Sequence, residues 1–129
     1  MKPTAVPSPR SVSRLASIRY AARGVGRLLA TQTNARIHAC AVMAVAAIGY
    51  WLEVSFIEWS LLILAIGLVL CAEGVNTAIE FVVDLASPQW HELARDAKDV
   101  AAGAVLLASI AALGVGLAVF VPKLLDRLW

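Results

Sequence analysis

Three carboxylates and an amide, Glu73, Asn76, Glu80 and Asp84, stand within the stretch CAEGVNTAIEFVVD (residues 71–84), directly after an apolar run that holds no charge beyond its opening Glu58. At about 100° per residue they fall near 0°, 300°, 340° and 20° around a helix, so all four share one side. A carboxylate at the centre of a membrane helix costs about 2.5 to 3.5 kcal/mol on insertion scales, so a stripe of them must be offset by partners, water or a metal ion. A second cation and acid, Lys98 and Asp99, open the next apolar run. Carboxylate oxygens bind a hard divalent cation and a lysine offsets phosphate charge, so the set suits Mg²⁺ and phosphate chemistry. The plainer reading is that the stripe pairs with Lys98 or a neighbouring helix merely to hold an oligomer together. The sequence carries no GxxxxGK[ST], HRD or DFG, so any nucleotide site has to be assembled from the helices themselves.

The elements that must position these groups are membrane helices. The chain has 129 residues, 60% of them hydrophobic, and a mean hydropathy of +0.79, against about 45–50% apolar residues in a soluble domain. The pattern predicts an all-α membrane protein with a disordered tail over residues 1–12 and a surface helix over about 13–30. Transmembrane helices are expected over about 38–57, 59–84 and 98–121. The first of these reaches spanning length only if His38 and Glu53 to Ile57 are drawn in, with Tyr50, Trp51 and Trp59 as interfacial anchors. In the surface helix Leu15, Ile18, Ala22, Val25 and Leu29 fall on one face and Arg19, Arg23 and Arg27 on the other, the division of a helix lying among headgroups. Gly24 and Gly26 predict a bend there. By itself this helix is equally an anchor without chemistry.

Lys2, Arg10, Arg14, Arg19, Arg23, Arg27 and Arg36 precede the first acid, Glu53, and the loop after the second span carries Arg95 and Lys98. The positive-inside rule therefore puts the N-terminus and that loop in the cytoplasm, with Lys123 and Arg127 outside in mild conflict with it. In this orientation Asp84 lies at the cytoplasmic surface and Glu73 about 16 Å deeper. Cys40 and Cys71 have no metal spacing and read as small buried hydrophobes. His38, at the start of a span, reads as an interfacial or core residue. Ala104, Ala108, Ala112 and Gly116, spaced by four, form a ridge for close helix approach, and Pro122 is expected to end the last helix.

The blocks EGVNTAIEFVVD and AKDVAAGAVL, with NARIH ahead of the first span and YAARG in the surface helix, resemble the bacterial integral-membrane diacylglycerol kinase and undecaprenol kinase family. The resemblance runs from about Ser13 to Lys123 and is most specific in E-x-x-N-[ST]-A-I-E-x-x-V-D. It implies a homotrimer of three-span subunits in the bacterial inner membrane, with shared sites on the cytoplasmic side. These would transfer the γ-phosphoryl group of ATP, with Mg²⁺, to undecaprenol or diacylglycerol, giving undecaprenyl phosphate or phosphatidic acid. Carried over by position, Glu73 matches the general base and Glu80 a metal ligand. Asn76, Lys98, Asp99, Trp90, His91 and Tyr20 match residues around the nucleotide. Gln32 stands where many members have a second metal-binding glutamate; its amide oxygen can still take Mg²⁺, without the charge. The alternative of a different class is a proton-coupled or drug transporter subunit with Glu73 as the coupling carboxylate.

Overall fold

The computed structural model describes residues 13–129, and the expected tail over residues 1–12 lies outside them. Ser13, in extended backbone, opens the first helix by accepting from the Ala16 N–H at 3.3 Å, the usual device for an otherwise unpaired first-turn donor. Helix α1 (Arg14–Thr31) is continuous through Gly24 and Gly26, where a bend is expected. It stops at Gln32, whose extended backbone still donates its N–H to Leu28. The next helix, α2 (Thr33–Trp51), starts at once, so a single residue joins the two, and the Gln32 side chain makes no capping bond to α2.

After Trp51 the chain turns through Leu52 to Ser55, with Glu53 in the left-handed region at φ 52°. Ser55 and Glu58 then form a reciprocal capping box that starts α3 (Phe56–Ala86). The first expected span, 38–57, is thus helical only to Trp51; the left-handed residue and the cap place the turn where sequence periodicity extends the helix. The last helix, α4 (Glu92–Leu128), contains Pro122 rather than ending at it. Proline removes one backbone donor, and the turns beyond it are tied to α2 instead. Arg127 donates to the Trp51 carbonyl at 2.6 Å, one of the unpaired carbonyls at the end of α2, and its guanidinium lies 4.9 Å from the Trp51 ring centre. Lys123 pairs with Glu58 at 3.2 Å. Lys123 and Arg127, the two cations expected to conflict mildly with the charge rule, are both engaged in this way.

Helices α3 and α4 form an antiparallel hairpin. Ion pairs close to each end, Glu58–Lys123 and Asp84–Lys98 at 3.2 and 2.5 Å, fix its register. Leu62 is then level with Val119, Glu73 with Ala108, and Asn76 with Val105, all of them buried. Near the α2–α3 turn the seam is apolar: Leu52, Val54, Leu62 and Val119 form the core, with Val45, Trp59, Val115 and Phe120 against it. Toward the other end the same seam becomes polar at Glu73, Asn76 and Thr77, facing the short side chains of Ala101 and Ala108. The expected four-residue ridge is only partly used. Ala104 is exposed, because a step of four drifts off the seam that Ala101, Val105 and Ala108 follow at steps of four and three. Helices α3 and α4 are long and apolar enough to cross a membrane. Their outer faces, including Leu64, Leu68, Leu107 and Leu113, are uncovered, as a lipid-facing surface requires. Cys40 and Cys71, expected to be buried, are exposed on such uncovered sides.

Candidate active site at the polar end of the hairpin

The buried face of α3 runs Leu62, Val69, Glu73, Asn76, Thr77, so the same helix periodicity that fills the core delivers the carboxylate into it. Glu73 is 1% exposed, and its Oε2 has no hydrogen-bond partner among the described residues. Asn76 is 6% exposed and donates from Nδ2 to Glu80 Oε1 at 3.0 Å, leaving its own Oδ1 unpartnered. Gln32 reaches across from the α1–α2 joint and donates from Nε2 to Glu80 Oε2 at 3.4 Å. The half-buried Glu80 is therefore held by an amide on each oxygen, whereas Glu73 is bare. A buried carboxylate oxygen without a protein donor is costly and calls for a partner from outside the chain, such as water, an ion or a substrate.

The donor set bears on a metal. Among the described residues no three His, Cys, Asp or Glu side chains gather into a metal cluster. What is present is hard oxygen: the Glu80 carboxylate and, beside it, the free amide oxygen of Asn76. That fits Mg²⁺, which takes one or two carboxylates and completes its octahedron with water and substrate phosphates rather than with an all-protein cage.

Two spaces flank this cluster. A groove of about 360 Å³ lies between α1 and α3, lined by Ala21, Gly24, Leu28, Gly74, Thr77 and Phe81 among others. A methyl group added at Gly24 or Gly74 would meet nothing within 4 Å, so the groove is open rather than a tight glycine contact. Arg27 borders it with its guanidinium 5.4 Å from the Phe81 ring centre, so this arginine is partly turned to protein instead of only to headgroups. At the hairpin's end a basin of about 310 Å³ is lined by Asp84, Trp90, His91, Arg95 and Lys98. Trp90 is 80% exposed there. The His91 Nδ1 accepts from the Leu93 N–H at 3.2 Å and so caps α4.

The structure brings Asn76, Glu80 and Gln32 together, with Glu73 one turn before Asn76 on the same buried face, and Lys98, Trp90 and His91 around the basin. It does not bring Asp99 or Tyr20 to either group within one chain. Asp99 turns to Arg95 at 3.9 Å, and Tyr20 is 57% exposed beside Arg23. His38 lies half-buried in a separate space of about 220 Å³ with Val45, Val69 and Ser109, as a core residue would. Sequence reasoning passed over Thr77 and Arg95. Thr77 lies one turn beyond Glu73 inside the most specific motif, which was the signal available for it.

The profile of the family described as prokaryotic diacylglycerol kinase matches residues 19–120. An undecaprenol kinase of Bacillus subtilis is 43% identical over 105 residues, covering 81% of this chain and 85% of the relative. A diacylglycerol kinase of Synechocystis is 49% identical over 113 residues, covering 87% of this chain and 65% of the relative. A diacylglycerol kinase of Escherichia coli K12 is 38% identical over 93 residues, covering 72% and 76%. With a buried carboxylate two turns before an amide-held one on the matched helices, and relatives of this identity across most of its length, the chain belongs to the prokaryotic diacylglycerol kinase family.

Proposed function

We propose that the protein is a lipid kinase that moves the γ-phosphoryl group of ATP to the hydroxyl of a membrane lipid, undecaprenol or diacylglycerol. One observation carries the mechanism: Glu73 is buried on the seam with an oxygen that no donor among the described residues engages. In the reaction the lipid hydroxyl oxygen forms a bond to the γ-phosphorus as the bond from that phosphorus to the β–γ bridging oxygen breaks. The hydroxyl proton passes to Glu73 Oε2, and ADP leaves with the bridging oxygen. Glu80 is the metal ligand, oriented by Asn76 and Gln32. Bound Mg²⁺ would neutralise charge building on the phosphate oxygens. Lys98 and Arg95 offset phosphate charge in the basin, and the exposed Trp90 and His91 rings offer a surface for the nucleotide base.

Depth sorts the reactants, since ATP comes from water at the Asp84–Lys98 end and lipid from the side. We assign that end to the cytoplasm and the protein to the bacterial inner membrane on the strength of the seven N-terminal cations. Helix α2, 19 residues and about 28 Å long, serves as the third crossing. A homotrimer supplies the remaining walls: Asp99 and Tyr20 stand away from Glu73 within one chain and would reach the site of a neighbour. The transporter alternative finds no support in relatives named as kinases.

The test supplies the purified protein with Mg²⁺ and ATP labelled in its γ-phosphate, together with diacylglycerol, undecaprenol or no lipid. Label entering the lipid fraction with at least one acceptor is expected. Its absence with both would overturn the assignment.

A further inference from the structure

Ser17, Thr31 and Ser60 each donate their hydroxyl to the carbonyl four residues back, at 3.4, 2.9 and 2.9 Å. This is the ordinary resting bond of a hydroxyl within a helix. Thr77 departs from it. The residue is 5% exposed and its Oγ1 makes no hydrogen bond among the described residues. It stands one turn beyond Glu73, whose Oε2 is equally unbonded, and it lines the groove between α1 and α3. The rest of that lining is apolar apart from Arg27. A ligand with a long apolar body and one oxygen at its head would reach Thr77 along this groove. Glu73 does not line it but stands behind the lining, about 6 Å away along the helix axis, so a hydroxyl that can donate and a carboxylate that can accept follow one another on the buried face. The free oxygen of Asn76 can only accept, so it does not substitute for Thr77.

We infer that Thr77 binds the acceptor: its Oγ–H donates to the lipid hydroxyl oxygen and turns the proton of that hydroxyl toward Glu73 Oε2. One lone pair of the lipid oxygen is held by Thr77 and the other remains free to attack phosphorus. No atom of Thr77 is transferred. The inference rests on the lipid-kinase reading and adds a residue to it.

The experiment compares the full-length protein with Thr77→Val, which keeps the shape and loses the hydroxyl, and with Thr77→Ser, which keeps the hydroxyl. Steady-state rates are measured in mixed micelles while either ATP or the acceptor is varied, using whichever of dioctanoylglycerol and undecaprenol the unmodified protein phosphorylates. Thr77→Val is expected to lower kcat/KM for the acceptor by about tenfold with the KM for ATP unchanged, and Thr77→Ser to stay within about twofold of the unmodified protein. Unchanged acceptor kinetics in Thr77→Val would overturn the role. So would a loss shared equally between acceptor and ATP, or one that serine does not repair, since these belong to packing. If the unmodified protein phosphorylates neither lipid, the lipid-kinase reading itself falls and takes this role with it.

Discussion

Glu73 and Glu80 lie two turns apart on one stripe and differ in what holds them. Each oxygen of Glu80 accepts an amide N–H, so its charge is spread over two bonds and its position is fixed. Glu73 keeps one oxygen bare in a buried seam, the state suited to receiving a proton. Glu73→Gln removes the acceptor at almost constant volume. Turnover should fall by about 10² to 10⁴-fold while the elution volume in size-exclusion chromatography and ATP binding match those of the unmodified protein. A near-normal rate would take the base role away from Glu73. Gln32→Glu exchanges an amide donor for a second carboxylate against Glu80. Without a cation the pair repels, so thermal stability should become Mg²⁺-dependent and the Mg²⁺ concentration for half-maximal rate should drop. An unaltered metal dependence would remove Gln32 from the neighbourhood of the ion.

At the scale of elements, the polar stripe was legible in the sequence because a helix converts spacing into angle, and the angle of Glu73, Asn76 and Glu80 holds on α3. Helix ends were less legible where an unusual backbone conformation or a distant residue sets them. The end of α2 depends on a left-handed Glu53 and on the Ser55–Glu58 cap, and the continuation of α4 past Pro122 depends on Arg127 reaching Trp51. A left-handed backbone at Glu53 is a conformation that its residue type does not announce, and Arg127 lies 76 residues from the carbonyl it reaches. The exposure of Cys40 and Cys71 was missed for a related reason: an apolar run in a membrane protein does not say which of its sides meets protein and which meets lipid. Trp59 offers a test of the apolar half. A Cβ built on Gly49 would lie 2.7 Å from its ring. Gly49→Ala should therefore push the indole aside and cost about 1 to 3 kcal/mol, seen as a lower midpoint of thermal inactivation in micelles. An unchanged midpoint would mean that the ring yields freely.

For the whole molecule, the hairpin is closed by ion pairs at both ends, which bracket about 38 Å of helix, somewhat more than a hydrocarbon core about 30 Å thick. The Asp84–Lys98 pair and the α2–α3 turn should therefore emerge on opposite sides. Single cysteines at Gln89 and at Glu53, in a protein with Cys40 and Cys71 replaced by alanine, should react with an impermeant maleimide from the cytoplasmic side and the outer side respectively. Labelling of both from one side would reject the proposed topology. A last consequence comes from Gln32, the single residue between α1 and α2, whose side chain ends on Glu80. In the proposed arrangement the first helix lies on the bilayer surface while Glu80 belongs to a crossing helix. On that arrangement, lateral pressure, headgroup size or thinning that tips the first helix would be felt through Gln32 at Glu80, the proposed metal ligand, so the rate should vary with the physical state of the membrane as well as with its substrate content.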